Sequence, residues 1–449
     1  MTHLIYPITN FKAVEQLTIE NADGVYVYDA NGKKYLEGLS GLWCTALGYS
    51  NQEIVDAAAA QMSRLPYAHM FGGKTHQIGM DLAEKLAGMV PIDHAMAFFG
   101  SSGSDANDTQ IKLIRYYFEA IGKPHKRKII SREHAYHGVT LAAASLTGLP
   151  VNHKHFSPPF EATGVLRTDA PHYYRGGKQG ETEDEFVDRI IENLEQIIIA
   201  EDPDTIAAFI AEPINGAGGV IVPPDDYFVR VKAVLDKYDI LFWADEVITG
   251  FGRTGNDFGV TTFNVKPDMM TLAKALSSAY LPISAAVIRG DMYNAMIEQS
   301  AQAGVFGHGF TYTAHPVCSA VTLKTLEIYE RDNIFAKAAV TGTYLQSKLE
   351  AFADHPLVGE IRGKGLLAGL ELVANKVTKQ PFDGGIVGHY VQNRCQHHGL
   401  ITRAVAGSTI AICPPLIITE AEIDEMVEII SIALGETLEF AHRENLISK

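Results

Sequence analysis

The sequence predicts an α/β fold, with a large unit built on a mainly parallel sheet between helices and a smaller α+β unit drawn from both ends of the chain. Three observations predict it. From about residue 55 to residue 320, helical patterns alternate with short apolar runs; the chain opens on an alternating hairpin pattern; and after residue 320 the pattern changes again. Strands of a parallel sheet are buried on both faces, so they read as continuous apolar runs. The expected division is 56–320 for the large unit, and 1–55 with 321–449 for the small one.

In "DGVYVYDANGKKYLEG" apolar and polar residues alternate around Asn31-Gly32, a pair suited to a tight turn that needs positive φ. The apolar runs that follow are "HAMAFFG" (94–100), "KRKIIS" (126–131), "TIAAFIAEP" (205–213), "DILFWADE" (239–246) and the stretch before Lys274. In such sheets ligands gather at the carboxyl ends of the strands. Past residue 320, helical stretches lead to "VGEIRGKGLLAGLELV", "GLITRAV" and "TIAICPPL". The last helix opens on a capping box, Thr419 with Glu422, and sets Ile423, Met426, Val427 and Ile430 on one face. The N-terminal hairpin is expected to join this unit.

Composition excludes several classes of function. The 449 residues are 47% apolar, enough for a large core. Acidic residues outnumber basic ones 53 to 37, for a formal charge of −16, and no polybasic block interrupts them, so neither nucleic acid nor an anionic membrane is an expected partner. No apolar run approaches the roughly 18 to 20 residues of a membrane span. The opening "MTHLIYPITN" lacks the regions of a signal peptide, and Cys44, Cys318, Cys395 and Cys413 are far apart without a CxxC pair. A cytoplasmic protein is the expectation.

Four features stand at predicted strand ends, and a fifth is the lysine of "DMMTLAKALSSAY". In "FFGSSGSDANDTQ" a strand, a glycine-serine turn and a helix follow one another, and the helix start at Gly103 and Ser104 suits a phosphate, although serine and aspartate there also serve as ordinary caps. The spacing is not that of a Walker loop. "LFWADEV" ends four apolar residues on Asp245, a carboxylate for which a cationic ring nitrogen is a fitting partner. In "EHAYHGVT", His134 and His137 are too few for a metal site, and Tyr136 offers a flat face for stacking on a ring. Arg403 in "ITRAVAGS" is either a carboxylate clamp or a surface arginine. Lys274 lies among apolar and small residues, where its stem snorkels to water or its amine is kept partly unprotonated to attack a carbonyl.

A phosphate, a ring with a basic nitrogen and a carbonyl for Lys274 describe pyridoxal 5′-phosphate (PLP). In "ADEVITGFGRTG" followed by "PDMMTLAKALSS", the chain resembles the class III, ω-amino acid:pyruvate type aminotransferases of PLP fold type I, and the resemblance extends from "GLSGLWCTALGYS" to "PPLIITEAEIDEM". It implies that fold's seven-stranded type of sheet. Lys274 is implied as the lysine that binds the cofactor and shuttles the proton, and Asp245 as the partner of the pyridine nitrogen. Tyr136 and Val247 would face the two sides of the ring, Gly103 and Ser104 would hold the phosphate, and Glu212 would lie near the phenolic side. In the family a threonine of a second subunit completes the phosphate cup, here Thr311, so a homodimer or homotetramer with composite sites is implied. Trp43 and Phe71 resemble the aromatic walls of the substrate pocket, and Arg403 the mobile arginine that grips a carboxylate.

The implied reaction is ping-pong transfer of an amino group from an amine or ω-amino acid to a keto acid, with pyruvate as acceptor and β-alanine, taurine, polyamines or aryl-alkyl amines as donors. A mutase or decarboxylase of the same fold is the alternative. Relatives acting on ornithine or γ-aminobutyrate park their arginine on a glutamate; here Ala217 stands there, which argues against those branches and leaves Arg403 without an evident resting partner. Asp105 replaces a usual glutamate, and Ala279 and Ser284 replace common glycines.

Overall fold

The computed structural model describes residues 3–12 and 16–447; Met1 and Thr2 of the opening stretch lie outside them. At the centre is a seven-stranded sheet in the spatial order Met96–Gly100, Ser284–Ile288, Met269–Leu272, Leu241–Asp245, Ile206–Ala211, Lys128–Arg132, Val165–Thr168. Six strands run the same way. Ser284–Ile288 alone is antiparallel to both of its neighbours. Ile206–Ala211 and Leu241–Asp245 are buried at every residue, as their unbroken apolar runs predict.

This topology positions the chemistry. Registers Ala211↔Ala244 and Asp245↔Thr271 bring the carboxyl ends of three adjacent strands into line, so the residues that follow them emerge side by side along one edge. Gly100, Arg132, Ala211, Asp245 and Leu272 all end strands pointing that way. The helix Gly103–Ala120 leaves this edge through a capping box, in which Ser102 accepts the N–H of Asp105 and the Asp105 carboxylate accepts that of Ser102.

Near the N-terminus, Ile19–Asp23, Tyr26–Asp29 and Lys34–Glu37 form a meander whose second turn holds Gly32 at φ +79°. Leu400–Ile401 then adds to Lys34–Glu37 in parallel. The N-terminal hairpin therefore shares a sheet with a C-terminal segment. A further sheet pairs Val358–Lys364, Leu367–Asn375, Thr409–Ile412 and Arg403–Val405, with Gln380–Pro381 on its side. The helix Glu420–Arg443 starts with the Thr419–Glu422 capping box and buries Ile423, Met426 and Ile430.

Candidate active site

A pocket of about 400 Å³ opens at the carboxyl edge of the central sheet, and Gly103, Ser104, Tyr136, Glu212, Asp245, Val247 and Lys274 all line it. Its apolar lining includes Ile248, Leu281 and Ile283. The volume lies in the range of small-molecule and cofactor sites.

Asp245 is 3% exposed, and three groups converge on its carboxylate: Val247 N–H at 3.2 Å, the Asn107 amide at 3.1 Å and His137 Nδ1 at 2.8 Å. The sequence reading did not include Asn107 and considered His137 only as a metal ligand. Asn107 lies one helical turn after Gly103 and so shares its face, a spacing legible in "GSDAN". His137 follows Tyr136 directly, and its ring is fully buried with Nε2 unpartnered. Among the described residues the cluster closest to a metal set is elsewhere, at His172, Glu360 and Glu371. There the Arg362 guanidinium already pairs with both glutamates.

Glu212 accepts N–H bonds from Tyr136 (3.0 Å) and Gly216 (2.9 Å), and burial pushes its carboxyl above the usual range, helped by the nearby charge of Asp245. Gly103 packs closely on Val247: a Cβ there would meet its methyls at 3.1 and 3.3 Å, so a larger residue would require Val247 to shift. The hydroxyl of Ser104 accepts the Val139 N–H at 3.1 Å, which leaves it a proton to donate.

Lys274 begins the short turn Lys274–Ser277 with φ +50°, a left-handed conformation uncommon for a side-chain-bearing residue and costing about 1–2 kcal/mol. Protein surrounds its amine, and burial pushes the pKa below the ordinary 10.5 against the pull of neighbouring acidic groups. A lowered pKa raises the share of neutral, nucleophilic amine at any given pH. Its Nζ lies 5.3 Å from the Trp43 ring centre, and the Arg403 guanidinium lies 5.4 Å from the same ring. Trp43, 3% exposed, is thus a neighbour of both.

The departures have physical counterparts. Ser284 Oγ donates to Asp105 Oδ1 at 3.0 Å, and the same carboxylate takes the N–H of Ser101 at 3.0 Å, so the shorter acid recovers a partner through the serine that replaces glycine. Ala279 has φ +61°, a region that favours the glycine it replaces. Trp43 and Arg403 are not among the residues that line this pocket, and neither are Phe71 and Thr311 of the same chain. Phe71 and Thr311 are exposed and neighbouring: the Phe71 ring packs on Gly309, and Tyr67 donates to the Thr311 carbonyl at 2.9 Å.

These residues fit PLP: a helix start for an anion, a buried carboxylate with an unpartnered histidine nitrogen behind it, an aromatic face and a lysine of lowered basicity. Residues 9–434 match the family described as aminotransferase class-III. The chain is 49% identical over 427 residues to γ-aminobutyrate transaminase 1, mitochondrial, of Solanum lycopersicum, covering 94% of this chain and 82% of that protein. With the vanillin aminotransferase of Capsicum annuum it shares 47% over 428 residues, 94% of this chain and 92% of that one. Its structure superposes on the ω-transaminase of Pseudomonas jessenii in complex with PMP with a TM-score of 0.95 at 48% identity, covering 98% and 97% of the two chains. The chain belongs to the class III aminotransferases of PLP fold type I, and is an enzyme of amino-group transfer that uses pyridoxal 5′-phosphate.

Proposed function

We propose that this transaminase takes the amino group of a carboxylate-free amine or an ω-amino acid and passes it to pyruvate in a ping-pong cycle. The observation that carries this reading is Arg403: half-buried over the Trp43 ring, it has no acidic partner among the described residues, and the Tyr136 phenol is the ionisable group acting on it. A guanidinium left free of any carboxylate of its own chain suits a substrate carboxylate that comes and goes. Bound PLP supplies an aldehyde and an electron-withdrawing ring. The protein's groups do the rest. Lys274 Nζ would take the proton from the donor carbon and deliver it to the carbon that carried the cofactor's aldehyde oxygen. Asp245, steadied by Asn107 and His137, would hold the pyridine N–H, and Tyr136 and Val247 would confine the ring.

Arg403→Ala should weaken the keto acid half-reaction by about 10- to 100-fold, the worth of a charged hydrogen-bonded pair, while the reaction with a carboxylate-free amine changes little. Single-turnover absorbance of each half-reaction measures this. Equal losses in both would remove the clamp. A second reading, γ-aminobutyrate as donor, is favoured by the tomato and rice relatives, which are γ-aminobutyrate transaminases, and weighs against the inference from Ala217. A panel of γ-aminobutyrate, β-alanine, taurine, putrescine and an aryl-alkyl amine, each with pyruvate or a dicarboxylic keto acid, separates the two.

The working unit we infer is at least a homodimer. Phe71 and Tyr312 are 50% and 60% exposed beside Thr311, an apolar patch fitted to cover a second copy's site. Light scattering should give at least two chains per particle; a stable, active monomer would refute this.

A further inference from the structure

The Arg403 guanidinium lies 5.4 Å from the centre of the Trp43 ring, within cation–π range, and the Lys274 amine lies 5.3 Å from the same ring. The ring is held firmly. Trp43 has φ +58° in a loop where Ser40 and Gly41 are also left-handed, and Ser40 Oγ donates to the Cys413 carbonyl at 2.6 Å, directly after the strand Thr409–Ile412 that pairs with Arg403. The indole N–H has no partner, so no hydrogen bond orients the ring. Strain in a side-chain-bearing residue persists only where the surroundings impose it, and here it presents an aromatic face to Arg403.

We propose that the face of Trp43 is the resting place of Arg403, occupied while the pocket holds an uncharged group and vacated when a substrate carboxylate draws the guanidinium off. The proposal rests on Arg403 as the carboxylate clamp. It supplies what Ala217 removes, and makes Trp43 a specificity-determining residue as well as a wall. Carboxylate binding then includes the loss of the Arg403–Trp43 contact, worth about 1–2 kcal/mol when shielded from water, or about 5- to 30-fold in affinity. Removing the aromatic face should therefore tighten carboxylate binding. A wall that only packs against substrate predicts the opposite sign.

The test is competitive inhibition of the holoenzyme by propionate, an unreactive carboxylate, against the keto acid, in wild type, Trp43→Phe, Trp43→Leu and Arg403→Ala. We expect the inhibition constant to fall about 5- to 30-fold in Trp43→Leu and by less in Trp43→Phe, whose smaller ring is a weaker cation partner, and inhibition to be lost in Arg403→Ala. An unchanged or weaker constant in both Trp43 variants, with inhibition still lost in Arg403→Ala, overturns the resting place and leaves the clamp standing. Undiminished inhibition of Arg403→Ala overturns the clamp, and the resting place with it. Trp43→Phe keeps the ring in the loop, so it reports even if the leucine variant does not fold.

Discussion

Lys274→Ala is expected to lower transamination by at least about 10²- to 10⁴-fold, the range ascribed to a positioned proton-transfer group, with the loss of covalent attachment added to it. Steady-state rates and the mass of the borohydride-reduced protein measure the two effects. Folding should survive the change. Burial already disfavours the charged amine, so the alanine apoprotein should melt no lower than wild type. The pH dependence has a definite sign. Because the folded pKa of Lys274 is lowered, the unfolded chain binds more protons in the window from that lowered value up to 10.5. This group therefore makes the wild-type apoprotein gain stability as pH rises through the window, a slope that Lys274→Ala removes. Near-normal turnover of the variant would end Lys274's role.

The parts of this architecture legible in the sequence were those whose signals are local. Apolar runs mark five of the seven central strands, most plainly Ile206–Ala211, Leu241–Asp245 and Met269–Leu272, where burial at every residue leaves no room for alternation. The two missed strands explain themselves differently. Val165–Thr168 is a short edge strand carrying Arg167, and Ser284–Ile288 follows the lysine turn so closely that its small residues read as part of a loop. Lys274 and Asp245 were recognisable from neighbours in the chain. The grouping of Trp43 with Arg403 was not, since it depends on a loop pinned to Cys413 across more than three hundred residues of sequence. Likewise, Asp105 and Ser284 were separate oddities until the sheet order placed Ser284–Ile288 beside Met96–Gly100. Short-range pattern reveals which chemistry is present. Long-range topology decides which departures compensate one another.

Asp245→Asn and Asp245→Ala should each reduce turnover by about 10²- to 10³-fold, because breaking a buried charged pair costs about 3–5 kcal/mol and leaves its partners unsatisfied. In the alanine variant the Asn107 amide, the Val247 N–H and His137 Nδ1 all lose their acceptor at once. The asparagine variant keeps an oxygen for one or two of them, but presents an NH₂ where an acceptor is needed. Cofactor retention on dialysis should fall in both, more in alanine. Stability separates this role from a structural one. Asp245 and Glu212 are buried together at 3% and 4% exposure, and the charge on Asp245 helps to push the Glu212 carboxyl up, so asparagine relieves the apoprotein of a repulsion while depriving bound PLP of a partner. Melting temperatures should therefore move in opposite senses, holding or rising in the apo form and falling in the holo form. His137→Ala, which leaves the Asp245 carboxylate in place, should show the smaller loss of turnover. Parallel destabilisation of both forms by Asp245→Asn would make the residue a structural acid and remove it from the cofactor site.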